Sequence, residues 1–276
     1  MDATEPPGLD VSRARRAGPA ADALSGTPGE LGPRPKTAPW SALRQGLLWA
    51  WRLLAWLLIG LALTSVAAVA VLRWVDPPAS AFMLGHARVA ARLGRPPPHY
   101  HHRWVPWEQI PTSVRLAAIA AEDQRFSVHH GFDPLEIRKA WTHYQRGGSL
   151  RGASTITQQT AKNLFLWPER SWLRKGLEAW LTAWIELLWP KERILEVYLN
   201  IVQLSPSTYG VGAASERYFD RPVSELGLEE ASLLAGVLPA PGAYRLDSPS
   251  ARLRQRAEWI ADQTRRLGGV RYLEKL

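Results

Sequence analysis

The chain has 276 residues, enough for one sizeable domain with appendages. Its formal net charge is +9, which suits an anionic partner such as nucleic acid, an acidic membrane surface or a phosphorylated substrate. The sequence has no cysteine, which excludes a disulfide framework, a thiol nucleophile and thiolate zinc sites.

The N-terminal part of the chain separates into a polar tail and an apolar run. Residues 1–44 are rich in proline, glycine, alanine and charge without apolar periodicity, and they predict a disordered tail. Residues 53–72 carry no charge, and a helix of this length spans roughly 30 Å, the thickness of a bilayer's hydrocarbon core. Arg52 and Arg73 bracket the run, and tryptophans stand at both of its edges. The pattern predicts one transmembrane anchor over residues 45–74, with the tail on the cytoplasmic side.

Two other interpretations of the apolar run stay open. The Ala68-Val69-Ala70 triplet is similar to a signal-peptide cleavage site, although the tail is too long and the run exceeds a normal signal-peptide core. A buried core helix is a poor fit to such a long apolar run beside a polar tail. Basic residues lie on both sides of the run, and no acid follows Glu30 before it, which favours a cytoplasmic N-terminus.

Residues 75–110 are rich in proline and aromatic side chains and predict a connector or an irregular domain edge. His99, His101 and His102 cluster there, but no carboxylate or cysteine completes a metal-ligand set. From residue 111 the apolar pattern becomes helical, so residues 111–276 are predicted to form a mainly α domain without alternating strands. Helices are predicted over residues 113–125, 134–146, 154–165, 172–188, 191–203, 210–218 and 228–238.

An acidic pair, Glu122 and Asp123, ends the first of these helices. The helix dipole disfavours anions at a C-terminus, so a carboxylate there has a raised proton affinity, which suits acid–base chemistry. The ordinary alternative is that Glu122 caps the helix or pairs with Arg125. Taken alone, the pair favours that structural interpretation, since carboxylates at helix ends are common.

Two further segments concentrate polar groups. Residues 151–164 form a donor-rich turn that enters a helix, which suits polar or anionic ligands but is also typical of an ordinary N-cap. On the predicted helix 172–188, one face carries Arg174, Glu178, Thr182 and Glu186. Tryptophans on its other faces favour a helix that touches lipid and turns this polar stripe toward a cleft, over a salt-bridge ladder on a solvated surface.

Together these segments resemble the glycosyltransferase family 51 domain, the peptidoglycan glycosyltransferases. The resemblance covers about residues 104–241 and rests on five motifs in order: Glu-Asp-x-x-Phe-x-x-His-x-Gly at 122–131, Gly-x-Ser-Thr-Ile-Thr-Gln-Gln at 152–159, Arg-Lys-x-x-Glu at 174–178, Lys-x-x-Ile-Leu-Glu-x-Tyr-Leu-Asn at 191–200 and Glu-Ala-x-Leu-Leu-Ala at 230–235. It implies a mainly α, lysozyme-like fold of two lobes with one N-terminal transmembrane helix. Together with the predicted anchor and its orientation, the expectation is a single-pass protein of the bacterial inner membrane with a periplasmic catalytic domain.

The resemblance implies a role for each matching residue. Glu122 would be the general base that takes the proton from the GlcNAc 4-hydroxyl of lipid II, and Glu178 the second acid near the departing diphosphate. Substrate binding is implied for Asp123, Phe126, His129, Gly131, Ser154, Thr155, Gln158, Gln159, Lys162, Asn163, Arg170, Arg174, Lys175 and Asn200. The cations among them, at 162, 170, 174 and 175, would hold the diphosphate. A divalent cation, Mg²⁺ or Mn²⁺, is associated with that site in the family, and no organic cofactor is implied.

The residue types suit this chemistry. A diphosphate leaving group needs positive charge rather than a protonated acid, and inversion of an α-linked donor needs a base that activates the acceptor hydroxyl. The implied partners are lipid II, the growing lipid-linked glycan and membrane lipid, with penicillin-binding proteins and divisome components as further candidates. The basic residues are dispersed and do not predict nucleic-acid binding.

The sequence departs from the family pattern at several points. Ala153 stands where a second glycine is usual, Gly212 where glutamate is usual, and residues 203–207 replace a more acidic loop. The chain contains no Ser-x-x-Lys, the nucleophile motif of penicillin-binding transpeptidases, so the sequence predicts a polymerase without transpeptidase activity. Two alternatives stay open: a lytic muramidase, which also uses a glutamate in a sugar cleft, and a membrane-anchored scaffold of the wall-synthesis machinery with a decayed site.

Overall fold

A computed structural model describes residues 39–94, 96, 99–148 and 153–276. Within these residues the chain forms eleven α-helices and three short strands, so the predicted mainly α class is confirmed. The helices are α1 (Pro39–Val71), α2 (Ala81–Arg92), α3 (Thr112–Glu122), α4 (Pro134–Gln145), α5 (Ile156–Phe165), α6 (Trp172–Leu188), α7 (Lys191–Ile201), α8 (Val211–Phe219), α9 (Leu228–Val237), α10 (Ala251–Arg266) and α11 (Val270–Leu273). The strands are β1 (His101–His102), β2 (Gln203–Ser205) and β3 (Thr208–Tyr209).

The longest helix, α1, contains the apolar run that predicted a membrane anchor. Within its residues Leu43–Val71, the most apolar stretch of 18 residues has a mean hydropathy of 2.3, and the helix is long and apolar enough to cross a bilayer. The helix begins at Pro39, a residue whose fixed φ suits the first helical turn, so residues 39–44 are helical rather than disordered. The rest of the predicted disordered tail lies outside the described residues. The part of α1 up to Ala55 belongs to one structural unit, and residues 56–276 form a second unit.

The seven predicted helices occur as α3–α9, with ends within three residues of the predicted ones. Their starts follow from caps. The Thr155 side chain accepts a hydrogen bond from the Gln158 backbone N–H, and the Gln158 side chain accepts one from the Thr155 N–H at 3.1 Å. This capping box moves the start of α5 to Ile156. The end of α3 is equally local, because Asp123 adopts an extended φ of −160° and stops the helix at Glu122.

The sequence patterns did not predict α2, α10 or α11, nor the small sheet. Helix α2 lies inside the segment predicted as a connector and begins where the Ser80 hydroxyl accepts from the Met83 N–H. Helix α10 is highly charged, yet its narrow buried stripe recurs at helical spacing, through Leu253, Ala257 and Ile260. In the sheet, ordered β1-β3-β2, β3 pairs parallel with β1 and antiparallel with β2. Strands of two or three residues carry too little alternation to be recognised.

Helix α3 lies at the centre of the 56–276 unit. It packs against α9 and α10, while α5 packs against α6 and α7. The α3 side chains of Val114, Leu116 and Ile119 are at most 2 % exposed, and burying one aliphatic side chain of this size contributes about 1.5–3 kcal/mol. The C-terminal end of α3, which carries Glu122, is therefore fixed by a packed core.

The C-terminal end of α1 is held to the same unit by polar contacts. The Arg193 guanidinium donates to the Leu72 carbonyl at 3.1 Å and to the Val75 carbonyl at 3.0 Å, and it pairs with Asp76 at 2.8 Å. The Trp189 indole donates to the Val69 carbonyl at 2.7 Å. The bonded carbonyls lie in the last turn of α1 and just after it, where a helix lacks internal partners. The contacts tie the end of the apolar helix to α7 and to the residue that follows α6.

Candidate active site

Glu122 lines a cavity of about 350 Å³ at the C-terminal end of α3. Burial raises the pKa of its carboxyl group above the ordinary value of 4.5. A hydrogen bond from Gln159 and the positive charges of Arg256 and Lys162 oppose that rise without cancelling it. The result is a carboxyl group with an increased proton affinity that faces open space, which is the arrangement a proton acceptor or donor needs.

Gln159 on α5 orients the Glu122 carboxylate. Its side-chain amide donates to Glu122 Oε2 at 2.8 Å. The buried Tyr198 hydroxyl on α7 in turn donates to Gln159 Oε1 at 3.4 Å. Burial raises the pKa of Tyr198 well above its ordinary value, so this hydroxyl keeps its proton and remains a donor. Three helices thus fix one oxygen of Glu122 and leave its other oxygen free of this chain of contacts.

Asp123, the neighbour of Glu122, binds groups of the protein itself. Its carboxylate contacts His129 Nε2 at 2.9 Å and accepts the backbone N–H of Ile156 at 3.0 Å. That N–H lies in the first turn of α5 and has no partner within its own helix. Both Asp123 and His129 are buried, so this pair joins the end of α3 to the start of α5.

The loop between α3 and α4 contains the remaining residues of the first motif. Phe126 is fully buried, and Asp133 accepts from the Arg125 guanidinium at 2.9 Å while it caps α4. Gly131 has a φ of +80°, and a Cβ there would lie 2.6 Å from the Thr182 methyl carbon. Only glycine permits this approach of the loop to α6.

Glu178, the second predicted carboxylate, is buried on α6 between two cations. One oxygen pairs with Arg174 at 3.1 Å, and the other contacts the Lys175 ammonium group. Burial lowers the pKa of Lys162 on α5, and the charges of Glu178 and Glu122 partly offset that effect. The charge of Lys162 therefore interacts with both carboxylates.

The polar stripe of α6 faces the interior. The side chains of Arg174 and Glu178 are only 10 % and 3 % exposed, which contradicts a solvated salt-bridge ladder. Farther along the stripe, Glu186 accepts from the Thr157 hydroxyl and pairs with Lys191 at 2.8 Å. The opposite surface of α6 carries exposed aromatic residues, including Trp172, which is 92 % exposed. The predicted division of this helix into a polar inner face and an aromatic outer face is confirmed.

The other residues predicted to bind substrate fall into two groups. Ser154 and Thr155 line the Glu122 cavity, and Arg170 is exposed just before α6. Thr155, Gln158 and Asn163 are buried in or beside α5, where the first two form its capping box. The structure therefore brings Ser154 and Thr155 to the cavity, although the Thr155 side chain also caps α5, whereas the hydrogen bonds of Gln158 stabilise the helix.

The side chain of Asn200, another predicted substrate-binding residue, forms its hydrogen bonds with the protein backbone. Its Oδ1 accepts from the Val105 N–H at 2.7 Å, and its Nδ2 donates to the Val105 carbonyl and to the Glu196 carbonyl, each at 2.9 Å. The residue is fully buried. Because both ends of the amide are occupied by backbone groups, this geometry favours a role in holding residue 105 against α7.

The C-terminal segment adds groups that the sequence patterns did not indicate. On α10, Trp259 lines the Glu122 cavity, and Arg256 carries one of the charges that act on Glu122. On α11, the Tyr272 hydroxyl donates to the Gln124 carbonyl at 3.1 Å and accepts from the Ser127 N–H at 3.2 Å. The apolar residues of α10 recur with the helical period of about 3.6, and this periodicity could have predicted the helix. It could not have predicted that α10 lies beside Glu122.

The described residues do not provide a protein-built metal site. No group of three or more histidine or carboxylate side chains is arranged to hold an ion in the part of the chain that the structure describes. Both oxygens of Glu178 are already engaged by cations. A divalent cation does not fit a carboxylate whose two oxygens already pair with Arg174 and Lys175. His102 contacts the Asn200 carbonyl at 3.1 Å instead of joining a ligand cluster.

The structure explains one departure from the family pattern. A Cβ at Gly212 would lie 2.4 Å from Val105 Cγ2 and 2.7 Å from the Arg103 carbonyl oxygen. The segment before α3 packs directly on the α8 backbone at this point, so a glutamate could not occupy the position without displacement. The nearby residues 203–207 form β2 and the turn into β3.

Comparison with known proteins places the chain in a family. A family model described as Transglycosylase matches residues 88–265. A biosynthetic peptidoglycan transglycosylase of Xylella fastidiosa is 50 % identical over 224 residues, which are 81 % of this chain and 92 % of that protein. The protein of the same name from Stutzerimonas stutzeri is 49 % identical, over 85 % of this chain and 95 % of that protein. The one from Pseudomonas aeruginosa is 50 % identical, over 77 % of this chain and 91 % of that protein.

The chain belongs to the transglycosylase family, which confirms the family predicted from the motifs. The match begins inside α2 and ends near the end of α10, so it is wider than the segment in which the motifs were recognised. The C-terminal part of α2 and nearly all of α10, which the sequence patterns missed, therefore lie within the family match.

Proposed function

We propose that this chain is a peptidoglycan glycosyltransferase that polymerises lipid II into β-1,4 glycan strands and releases undecaprenyl diphosphate. The observation that carries the proposal is the contrast between two carboxylates. Glu122 has an increased proton affinity and faces a cavity, whereas Glu178 lies between Arg174 and Lys175. One environment suits proton transfer, and the other suits binding of an anionic leaving group.

In the proposed reaction Glu122 acts as the general base. The 4-hydroxyl of the acceptor GlcNAc loses its proton to the Glu122 carboxylate while its oxygen forms a bond to C1 of the donor MurNAc. The bond from C1 to the diphosphate oxygen breaks, and the electron pair leaves with undecaprenyl diphosphate. Attack from the face opposite the leaving group converts the α linkage into a β linkage.

Cations on α5 and α6 are proposed to stabilise the departing diphosphate. Lys162 is near both carboxylates, and Arg174 and Lys175 bind Glu178 from two sides. Exposed Arg170 precedes the same helix. Charge-assisted hydrogen bonds from such groups strengthen as negative charge develops on the leaving oxygens, which lowers the barrier without a proton donor. The family's divalent cation, Mg²⁺ or Mn²⁺, would have to rely on substrate oxygens here, so no step is assigned to it.

The membrane geometry supports a lipid-linked substrate. The C-terminal end of the apolar helix α1 is bound to α7 through Arg193, and the outer face of α6 exposes tryptophans. Aromatic side chains of this kind are enriched where protein meets the membrane interface. We propose a single-pass protein of the bacterial inner membrane, with a cytoplasmic N-terminus and a periplasmic catalytic domain. Its proposed partners are lipid II, the growing glycan, membrane lipid and, because the chain has no Ser-x-x-Lys, separate penicillin-binding proteins and divisome components.

The test is glycan-strand synthesis from labelled lipid II by the full chain in detergent. The wild type and the control Glu225→Gln, an exposed carboxylate outside the cavity, are expected to make polymer, and Glu122→Gln none. Cleavage of finished peptidoglycan without polymer would instead identify a muramidase, which also needs a carboxyl group of raised pKa. Inactivity of the wild type in both assays would support a scaffold.

A further inference from the structure

The cavity beside Glu122 has one aromatic wall. Trp259 lines it from α10, while the next residues on that helix, Ile260 and Ala261, are buried. Helix α10 packs against both α3 and α9, so its backbone is fixed relative to Glu122 at the end of α3. The Trp259 side chain nevertheless remains 47 % exposed. Trp259 therefore lines the cavity of the proposed base from a packed helix and keeps about half of its surface exposed.

The charges of the cavity disfavour an anionic ligand. Its two cations, Arg125 and Lys139, are each already paired, with Asp133 at 2.9 Å and with Glu136 at 2.7 Å. Glu122 and Asp123 add further acidic groups to the same walls. The Glu122 cavity differs in this respect from the cluster of Lys162, Arg174 and Lys175, whose positive charges are suited to binding phosphate. The Glu122 cavity is instead suited to a neutral, polar molecule.

The remaining wall groups point to a sugar ring. Pyranose rings have an apolar face of C–H groups, which can lie against an aromatic ring, and a rim of hydroxyls that needs hydrogen-bond partners. Gln124 and Ser154 supply such partners beside Trp259. The cavity volume of about 350 Å³ falls at the lower end of the range of about 300–1,000 Å³ for small-molecule sites.

We propose that Trp259 is a saccharide-binding residue, whose indole stacks on an N-acetylhexosamine ring of the glycan substrate next to Glu122. The inference rests on the proposed function for the identity of the substrate. Stacking would hold the ring and its reacting neighbour at a fixed height above Glu122, which favours productive orientation of the hydroxyl. The ring can belong to the growing glycan or to the incoming precursor, because both consist of N-acetylhexosamines.

A kinetic test compares Trp259→Ala and Trp259→Phe with Glu258→Ala, an exposed neighbour on the same helix that does not line this cavity. Trp259→Ala is expected to lower kcat/KM for lipid II polymerisation roughly tenfold, which corresponds to about 1.4 kcal/mol and lies near the upper end of the range for an aromatic contact. Trp259→Phe should retain most activity, and Glu258→Ala should match the wild type. Equal activity of all four proteins would overturn the proposal.

Two substrates distinguish the sources of the ring. If Trp259 contacts the growing glycan, Trp259→Ala should slow elongation from a preformed lipid-linked tetrasaccharide more than it slows the first coupling of two lipid II molecules. If it contacts the precursor, both rates should fall together. Either result supports a sugar contact, whereas loss of membrane binding with unchanged rates per bound enzyme would make Trp259 a lipid-contacting residue and overturn it.

A binding test does not depend on turnover. The full chain in detergent micelles, labelled with 5-fluorotryptophan, gives a ¹⁹F resonance for Trp259 that is assigned by its loss in Trp259→Phe. Addition of chitotetraose, a neutral N-acetylhexosamine oligomer, is expected to shift that resonance, while phosphatidylglycerol vesicles are expected to leave it unchanged. A shift with vesicles alone, or with neither probe, contradicts the proposal. If the wild type makes no polymer but this resonance shifts with chitotetraose, the proposed function fails and the sugar site stands.

Discussion

The Gln159 amide donates a hydrogen bond to one oxygen of the Glu122 carboxylate at 2.8 Å, and this bond lowers the pKa of that group. Burial acts in the opposite direction and dominates. Gln159 is itself fixed by Tyr198 from α7. The proton affinity of the proposed base is therefore set by a contact between two motifs of the sequence, and it can be changed without removing the base.

Replacement of Gln159 by alanine should raise the pKa of Glu122 further, because the donor that stabilises the charged form is lost. A base works only when it is deprotonated, so the acid limb of the kcat/KM profile is expected to move to higher pH. The measurement is the pH dependence of lipid II polymerisation, with Gln145→Ala, an exposed glutamine at the end of α4, as control. An unchanged acid limb would show that the hydrogen bond from Gln159 does not determine the pKa of Glu122.

Glu122→Gln should be more stable than the wild type at neutral pH, even though it is inactive. Burial raises the folded-state pKa of Glu122 above its unfolded value, so the stabilising effect of its proton is complete below the unfolded pKa. That effect is lost as the pH rises through the folded pKa, whereas glutamine does not titrate. The difference in Tm between mutant and wild type is expected to be small in acid and to grow as the pH increases. A difference that is constant or shrinks with pH would contradict the burial argument.

The division of α6 and the position of Glu122 could be predicted because they depend on periodicity and on the end of one helix. The capping box of Thr155 and Gln158 could also have been predicted, since its two residues are only three positions apart in the sequence. The wall formed by Trp259 was not, because α10 is remote in sequence and its polar composition conceals a narrow apolar stripe. Asn200 illustrates a different reason why a prediction from sequence is incomplete. Its position in a motif predicts the residue type, whereas its hydrogen-bond partner Val105 becomes evident only in the three-dimensional structure.

The ion pair between Arg174 and Glu178 should be important for stability as well as for binding. Both side chains are nearly buried, so Glu178→Ala would leave the Arg174 guanidinium without its partner. Breaking a buried pair in this way costs about 3–5 kcal/mol. The exposed pair of Asp262 and Arg265 is a matched control, and Asp262→Ala is expected to change the free energy of unfolding by only about 0–1 kcal/mol. Denaturant unfolding of the detergent-solubilised chain measures both, and equal losses would mean that Arg174 finds another partner.

Asn200→Ala should destabilise the protein without weakening substrate binding. The substitution removes the partners of the Val105 N–H and carbonyl, and each buried polar group left unsatisfied costs about 1–3 kcal/mol. The expected result is a lower Tm with a KM for lipid II that matches the wild type at a temperature where both proteins are folded. A higher KM with an unchanged Tm would return Asn200 to the substrate-binding residues implied by the family resemblance.

Gly212→Ala tests whether the departure from the family pattern is fixed by packing. The added Cβ would lie 2.4 Å from Val105 Cγ2, a distance that requires the segment before α3 to shift. Overpacking of this kind costs about 1–3 kcal/mol. Gly176→Ala on α6 is the control, because a Cβ there meets nothing within 4 Å, and loss of a helical glycine is expected to stabilise the chain by about 0.5–1 kcal/mol. Opposite signs for the two glycines are therefore expected in thermal unfolding. If Gly212→Ala were as stable as the wild type, residues 103–105 would have to move freely, and the contact with Asn200 would not restrain them.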